Sequence, residues 1–269
     1  MILAESVQSQ KIRKMSQSNS DPAQNTFNIS NSSITNLAGS GSIQYVEAPE
    51  KSGASLEAES SKRVILFLAA QPSATTRLRL DEEVREIEAG LQRSKHRDRF
   101  ELEQRWAVRP IDLRRALVEC KPQIVHFAGH GVGYSTEARS SETTRKLLPV
   151  DRPETFEEGL ILEDHTGQPR LVSTEALATL FELTADSVEC VVLNACYSER
   201  QANAISEHIP HVIGMNQAIG DRAAIEFAIG FYDALGAGES MEFAYKLGCS
   251  AIHLAGIAEH LTPIFKRKL

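Results

Sequence analysis

Arg63-Val64-Ile65-Leu66-Phe67-Leu68-Ala69-Ala70 is apolar at every position from Val64 onward, and this sets the architecture expected of the rest. A half-exposed strand alternates apolar with polar residues, whereas an unbroken run belongs to a strand covered on both faces, as in a parallel sheet. The run stops at Gln71-Pro72-Ser73. Downstream, Leu80, Val84, Ile87 and Leu91 recur at helical spacing, and Asp81, Glu82 and Glu83 suit the positive end of a helix. Phe100 to Val108 alternates and reads as a second strand. A helix opens at Pro110 and runs through Leu113 and Leu117; Gln123 to Ala128 is the third strand.

The pattern continues after a break at residues 131–158, rich in Ser, Thr, Glu and Arg and long for a connection in a compact domain. Gly159 to Glu163 and Arg170 to Val172 form a small hairpin around Asp164-His165-Thr166-Gly167, and Ser173 caps a helix through Phe181. Glu189 to Asn194 is the next buried strand, followed by a helix to Ile209 and a strand at His211 to Met215. Asp221 to Leu235 is apolar nearly all round and reads as a buried helix closed by Gly236-Ala237-Gly238, and a last helix covers Ser240 to Ala255. Repeated β/α units of this kind imply an α/β fold whose mostly parallel sheet carries helices on both faces.

Composition narrows the function. The formal net charge is −7, from 29 Lys+Arg against 36 Asp+Glu, so no overall basic field attracts a nucleic acid or an acidic membrane. The longest apolar run has seven residues, Val64 to Ala70, against about 20 for a membrane-spanning helix. No basic stretch precedes an apolar one at the start, so the cytoplasm is the expected location. The four cysteines form no CxxC pair and no disulfide framework.

Residues 1–60 differ from everything after them, with thirteen serines and five asparagines and no charged side chain from Pro22 to Val46. Such a segment buries too little apolar surface to offset about 1–2 kcal/mol of backbone ordering per residue, so on its own it is expected to be disordered. Phe27, Ile29, Ile34, Leu37, Ile43 and Tyr45 nevertheless alternate with Asn, Ser and Thr, a rhythm that favours stacked cross-β assembly over residues 25–46. The domain boundary is expected at residue 61.

Ligands of open parallel sheets bind beyond the carboxyl ends of the strands. Two such ends carry chemistry: His126-Phe127-Ala128-Gly129-His130-Gly131 and Leu193-Asn194-Ala195-Cys196-Tyr197-Ser198. If these strands are neighbours, His130 and Cys196 meet as base and nucleophile although 66 residues separate them. A thiol of ordinary pKa is only about 3 % thiolate at pH 7, so it needs an imidazole to take its proton, and the same ring can protonate a leaving amine. The N–H groups of Gly131 and Cys196 can face a developing oxyanion. Cys120, Cys190 and Cys249 read as small core residues. Four residues along a strand span about 13 Å, so His126 and His130 cannot share one zinc ion, and His126 reads as a packed strand residue.

At IVHFAGHG (Ile124 to Gly131), VVLNACYS (Val191 to Ser198) and VIGMNQAIGDRAAIEFAIGFYDALGAG (Val212 to Gly238) the sequence resembles the CHAT domain family, caspase-like cysteine peptidases of the caspase and separase clan. The resemblance spans residues 62–268. It implies a caspase-hemoglobinase three-layer α/β/α sandwich, His130 as general base and acid, Cys196 as nucleophile, and Gly131 and Cys196 as the oxyanion hole. By similarity to separase it implies Asp221 as the acid that receives a basic P1 side chain, although Asp221 also reads as a helix N-cap. The local pattern Asn-Ala-Cys-Tyr-Ser departs from the Gln-Ala-Cys-x-Gly of caspases, so aspartate specificity does not follow. Phe27 to Tyr45 resembles short amyloid signalling motifs of bacterial immune receptors. That implies recruitment by an NLR-like receptor, self-association and a defence or cell-death role.

The expectation is therefore a cysteine endopeptidase acting on a protein substrate, with no cofactor and no metal. A caspase-fold adaptor without catalysis is the alternative, and a thiol-dependent acyltransferase or amidase a second one.

Overall fold

The computed structural model describes residues 62–133 and 158–268, all within the unit Ala54–Leu269. The expected cross-β segment and most of the 131–158 insertion lie outside them.

Six strands form the main sheet: β1 (Arg63–Ala69), β2 (Phe100–Arg105), β3 (Ile124–Ala128), β7 (Cys190–Asn194), β8 (His211–Met215) and β9 (Pro263–Arg267). Their order is β2-β1-β3-β7-β8-β9. All neighbours are parallel except β8 and β9, which are antiparallel. A smaller antiparallel sheet has the order β4-β5-β6, with β4 at His130–Val132, β5 at Gly159–Glu163 and β6 at Pro169–Ser173. Six helices complete the described fold: α1 (Leu80–Arg93), α2 (Pro110–Cys120), α3 (Thr174–Glu182), α4 (Glu199–Ser206), α5 (Asp221–Ala237) and α6 (Met241–Leu254).

The apolar run of β1 is explained by its neighbours. Ile65, Phe67 and Ala69 enter one core, together with Leu80, Val84 and Ile87 of α1, Phe227 and Phe231 of α5, and Ala244 and Ile252 of α6. Leu66, Leu68 and Ala70 enter a second core with Leu113 and Leu117 of α2, Leu177 and Phe181 of α3, and Ala202 and Ile205 of α4. Alternate side chains of a strand point to opposite faces, so both faces are apolar because both are covered. The result is the expected three-layer α/β/α sandwich with a mostly parallel sheet. Leu160 and Leu162 of β5 join the second core, which seats the small sheet against that face.

The chain enters the sheet at β1, moves to β2 on one side, and returns to β3 on the other. The carboxyl ends of β1 and β3 therefore stand at a topological switch point, the kind of place where α/β sheets bind ligands.

Candidate active site

Strands β3 and β7 are hydrogen-bonded neighbours in parallel register, Ala128 opposite Asn194, so the residues that follow both strands emerge at one rim. The Gly129 N–H donates to the Asn194 carbonyl at 3.3 Å. Beyond it the β4 segment crosses the turn that carries Cys196. A Cβ at Gly131 would lie 2.2 Å from the Cys196 carbonyl oxygen, and one at Gly133 would lie 2.3 Å from Tyr197 Cβ. Only residues without a side chain permit this approach. The His130-Gly131 segment is thus laid directly on the backbone of Cys196, with both His130 and Cys196 partly buried.

The turn at Cys196 is held on several sides. Ala195 N–H donates to Leu193 O at 2.9 Å, and Tyr197, at a left-handed φ of 55°, donates to Gln217 O at 3.1 Å. The fully buried Ser198 hydroxyl donates to Leu193 O at 3.0 Å and accepts from the Met215 N–H at 2.9 Å, tying the turn to β8. Helix α4 begins at Glu199, three residues past the sulfur, so its positive end faces the turn. Cys196 Sγ accepts from the Ile219 N–H at 3.4 Å, and the thiol faces the Ile219 carbonyl at 3.7 Å. Burial pushes the Cys196 thiol above its ordinary value, Ile219 pulls it back, and the charge of Glu259 raises it further.

His130 Nε2 lies 2.9 Å from the carbonyl oxygen of Thr76, on the loop that follows β1. A carbonyl can only accept, so Nε2 carries the proton and Nδ1 of the neutral ring is left as the basic nitrogen. Burial lowers the His130 pKa, and the Thr76 carbonyl opposes this by favouring the protonated ring. Of the two backbone groups implied for an oxyanion, Gly131 sits opposite Leu160 in the β4–β5 pairing. The Cys196 amide finds no backbone acceptor among the described residues.

Asp221 is the first residue of α5, and the cap position itself is Gly220, so the expected N-cap lies one residue earlier. Both Asp221 carboxylate oxygens are engaged by Arg79: Oδ1 accepts the Arg79 N–H at 3.0 Å and Oδ2 the guanidinium Nε at 2.7 Å. The charge that would receive a basic P1 side chain is already compensated by a residue of the same chain. A second carboxylate stands nearby, since Glu259 Oε2 accepts the Gly220 N–H at 2.6 Å.

Sequence reasoning missed the polar core behind the rim. Glu83 of α1 is 3 % exposed, and its Oε1 is shared by His126 Nε2 at 2.8 Å and Asn194 Nδ2 at 2.6 Å. His126 Nδ1 meets the Tyr232 hydroxyl at 3.1 Å, and Asn194 Nδ2 also reaches the Ala224 carbonyl at 3.2 Å. These contacts join α1, α5 and the carboxyl-terminal halves of β3 and β7. The signal was present: Glu83 falls on the same helical face as Leu80, Val84 and Ile87, which an acid at a solvated helix start need not do. His126 is fully buried. Among the described residues no group of three or more His, Cys, Asp or Glu could hold a metal ion, and no helix is long and apolar enough to cross a membrane.

The chain is thus a three-layer α/β/α protein with Cys196 and His130 following neighbouring strands of its parallel sheet. Residues 36–245 match the CHAT domain model, so the chain belongs to the CHAT domain family. It is 26 % identical over 195 residues to a Roc-COR-CHAT protease from an unknown prokaryotic organism, covering 70 % of this chain and 16 % of that protein. It is 24 % identical over 190 residues to a probable protease of Gillisia limnaea, covering 70 % of this chain and 30 % of that one. The chain thus spans less than a third of the length of these curated relatives. Among solved structures it is similar to a secreted C11 cysteine protease from Bacteroides thetaiotaomicron in complex with an irreversible peptide inhibitor. The identity there is 14 % and the TM-score 0.49, over 77 % of this chain and 66 % of that one.

Proposed function

We propose that this chain is a cysteine endopeptidase in which Cys196 attacks a peptide carbonyl and His130 moves the proton. The observation that carries the reading is the pairing of β3 with β7, which lays the His130-Gly131 segment on the backbone of Cys196. Relatives named as proteases support the same class of reaction.

The steps follow from the groups present. His130 Nδ1 takes the thiol proton as Sγ bonds to the carbonyl carbon, and the N–H groups of Gly131 and Cys196 receive the developing oxyanion. The imidazolium, held by the Thr76 carbonyl, then gives that proton to the departing amine, leaving a thioester on Cys196. A water enters and loses a proton to the same ring; its oxygen attacks the thioester, and Sγ leaves with the proton restored. Burial raises the Cys196 thiol and lowers the His130 ring, which favours the neutral thiol and neutral imidazole over an ion pair before substrate binds.

Asp221 paired with Arg79 braces the loop that follows β1 in this reading, so a basic P1 residue would have to displace a guanidinium to reach it. A defence or cell-death role, through an NLR-like receptor that recruits residues 25–46, extends the proposal and rests on the sequence of that segment alone.

The test is peptide-library cleavage by the purified chain beside its Cys196→Ala and His130→Ala forms. Each substitution is expected to lower kcat by at least about 10³-fold, as removal of one member of a nucleophile–base pair does. Equal cleavage by the Cys196→Ala chain would overturn the assignment.

A further inference from the structure

We propose that Gln71 is a positioning residue for the reaction, its carboxamide holding the Thr76 carbonyl oxygen to which the His130 ring donates. This rests on the reading of Cys196 and His130 as the reacting pair.

Gln71 stands two residues past the end of β1, where the chain leaves the sheet. Its side chain turns back into its own loop. Nε2 donates to Thr75 Oγ1 and to the Thr76 carbonyl oxygen, both at 3.0 Å, while Oε1 accepts the Leu78 N–H at 2.8 Å. One amide thereby closes residues 71–78 into a ring with the Thr76 carbonyl among its contacts. The Gln71 backbone N–H is anchored in turn, donating to the buried Glu163 Oε1 at 3.0 Å.

The loop has other ties. Ser73 donates through its N–H and its hydroxyl to the Gly167 carbonyl at 3.0 and 3.1 Å, and Arg79 is bound to Asp221. These hold the ends of the loop. Among the described residues, the Thr76 oxygen itself has two hydrogen-bond donors, Gln71 Nε2 and His130 Nε2. A carbonyl oxygen has two lone pairs, so the two donors occupy it fully. Thr76 is exposed, and without the Gln71 donor its carbonyl is free to swing to water and release the ring. His130 then loses the bond that fixes both its orientation and its tautomer.

Two contributions of Gln71 can be separated chemically. Gln71→Glu keeps the length and the acceptor for Leu78 but removes both donors and sets a carboxylate against the Thr76 oxygen. Gln71→Met keeps the bulk and removes donor and acceptor alike. The measurement is the rate at which iodoacetamide alkylates each of the four cysteines of the full chain at pH 7, resolved by peptide mass spectrometry. Cys120 and Cys249, partly buried away from the rim, are internal standards, and the fully buried Cys190 reports unfolding.

The expected result is that His130→Ala, Gln71→Glu and Gln71→Met each slow Cys196 alkylation about tenfold, below the 10²–10⁴ that a general base supplies in a full reaction. Cys120, Cys249 and Cys190 should keep their native rates. If both Gln71 variants alkylate at the native rate while His130→Ala is slow, the positioning role is wrong and the dyad stands. If Gln71→Glu is native-like and only Gln71→Met is slow, loop closure through Leu78 suffices and donation to Thr76 is wrong. Exposure of Cys190 in the Gln71 variants would make Gln71 a folding residue and overturn the proposal. A native rate in His130→Ala would instead overturn the dyad on which it rests.

Discussion

Burial raises the hold of the Cys196 sulfur on its proton and lowers the affinity of the His130 ring for one, so both shifts disfavour a thiolate–imidazolium pair in the proposed dyad. The sign follows directly: thiolate forms only as pH rises through the elevated thiol value. The absorbance of thiolate near 240 nm, taken as the difference between the native and Cys196→Ala chains, should be absent at pH 7 and appear only above about 8.5, the ordinary thiol value. A thiolate already present at pH 6 would contradict the neutral pair. Glu83 offers a second test at this scale, since its one oxygen serves two buried donors. Glu83→Ala leaves His126 Nε2 without its partner and Asn194 Nδ2 with the Ala224 carbonyl alone, and a buried unsatisfied group costs about 1–3 kcal/mol. The expected loss is about 3 kcal/mol in denaturant unfolding; a change under about 0.5 kcal/mol would show the cluster to be idle.

Elements were legible in the sequence where their periodicity was forced by burial. The runs of β1, β3 and β7 form the middle layer of the sandwich, and from Ile65, Ile124 and Cys190 onward every residue of them is buried. Helix α5 packs on the sheet and is buried along most of its length, with Arg222 and Asp233 the exposed charged exceptions that leave its apolar pattern readable. Strand β9 escaped because Pro263-Ile264-Phe265-Lys266-Arg267 is an edge strand, begins with proline and ends in two cations. Strand β4 escaped because it is three residues long and centred on a glycine. The rim residues His130 and Cys196 could be found as strand-end chemistry, whereas Thr76 could not, since a backbone carbonyl leaves no mark in composition. The same closeness that hid β4 makes it testable. Gly131→Ala places a methyl group inside the Cys196 carbonyl, and overpacking against backbone costs about 1–3 kcal/mol or more. The variant should melt earlier and lose cleavage, while Gly256→Ala, with nothing within 4 Å of the added carbon but a φ of +72°, should lose some stability and keep cleavage. Equal activity in both would mean that β4 need not lie on the Cys196 turn.

For the whole molecule, the family match covers residues 36–245, and the protease relatives are several times longer than the stretch they share with this chain. The uncharged segment is tested separately: a peptide of residues 25–46 should form fibrils with a cross-β spacing near 4.7–4.8 Å. A peptide that stays a soluble coil at high concentration would remove the recruitment proposal and leave the peptidase untouched. The peptidase proposal depends on one covalent event. An electrophilic acyloxymethyl ketone peptide library, incubated with the native chain and with Cys196→Ala, His130→Ala and Cys249→Ala, should label native and Cys249→Ala chains at Cys196, label His130→Ala slowly, and leave Cys196→Ala unmarked. Labelling of the Cys196→Ala chain at the native rate, or of the native chain at any other cysteine, would contradict the account.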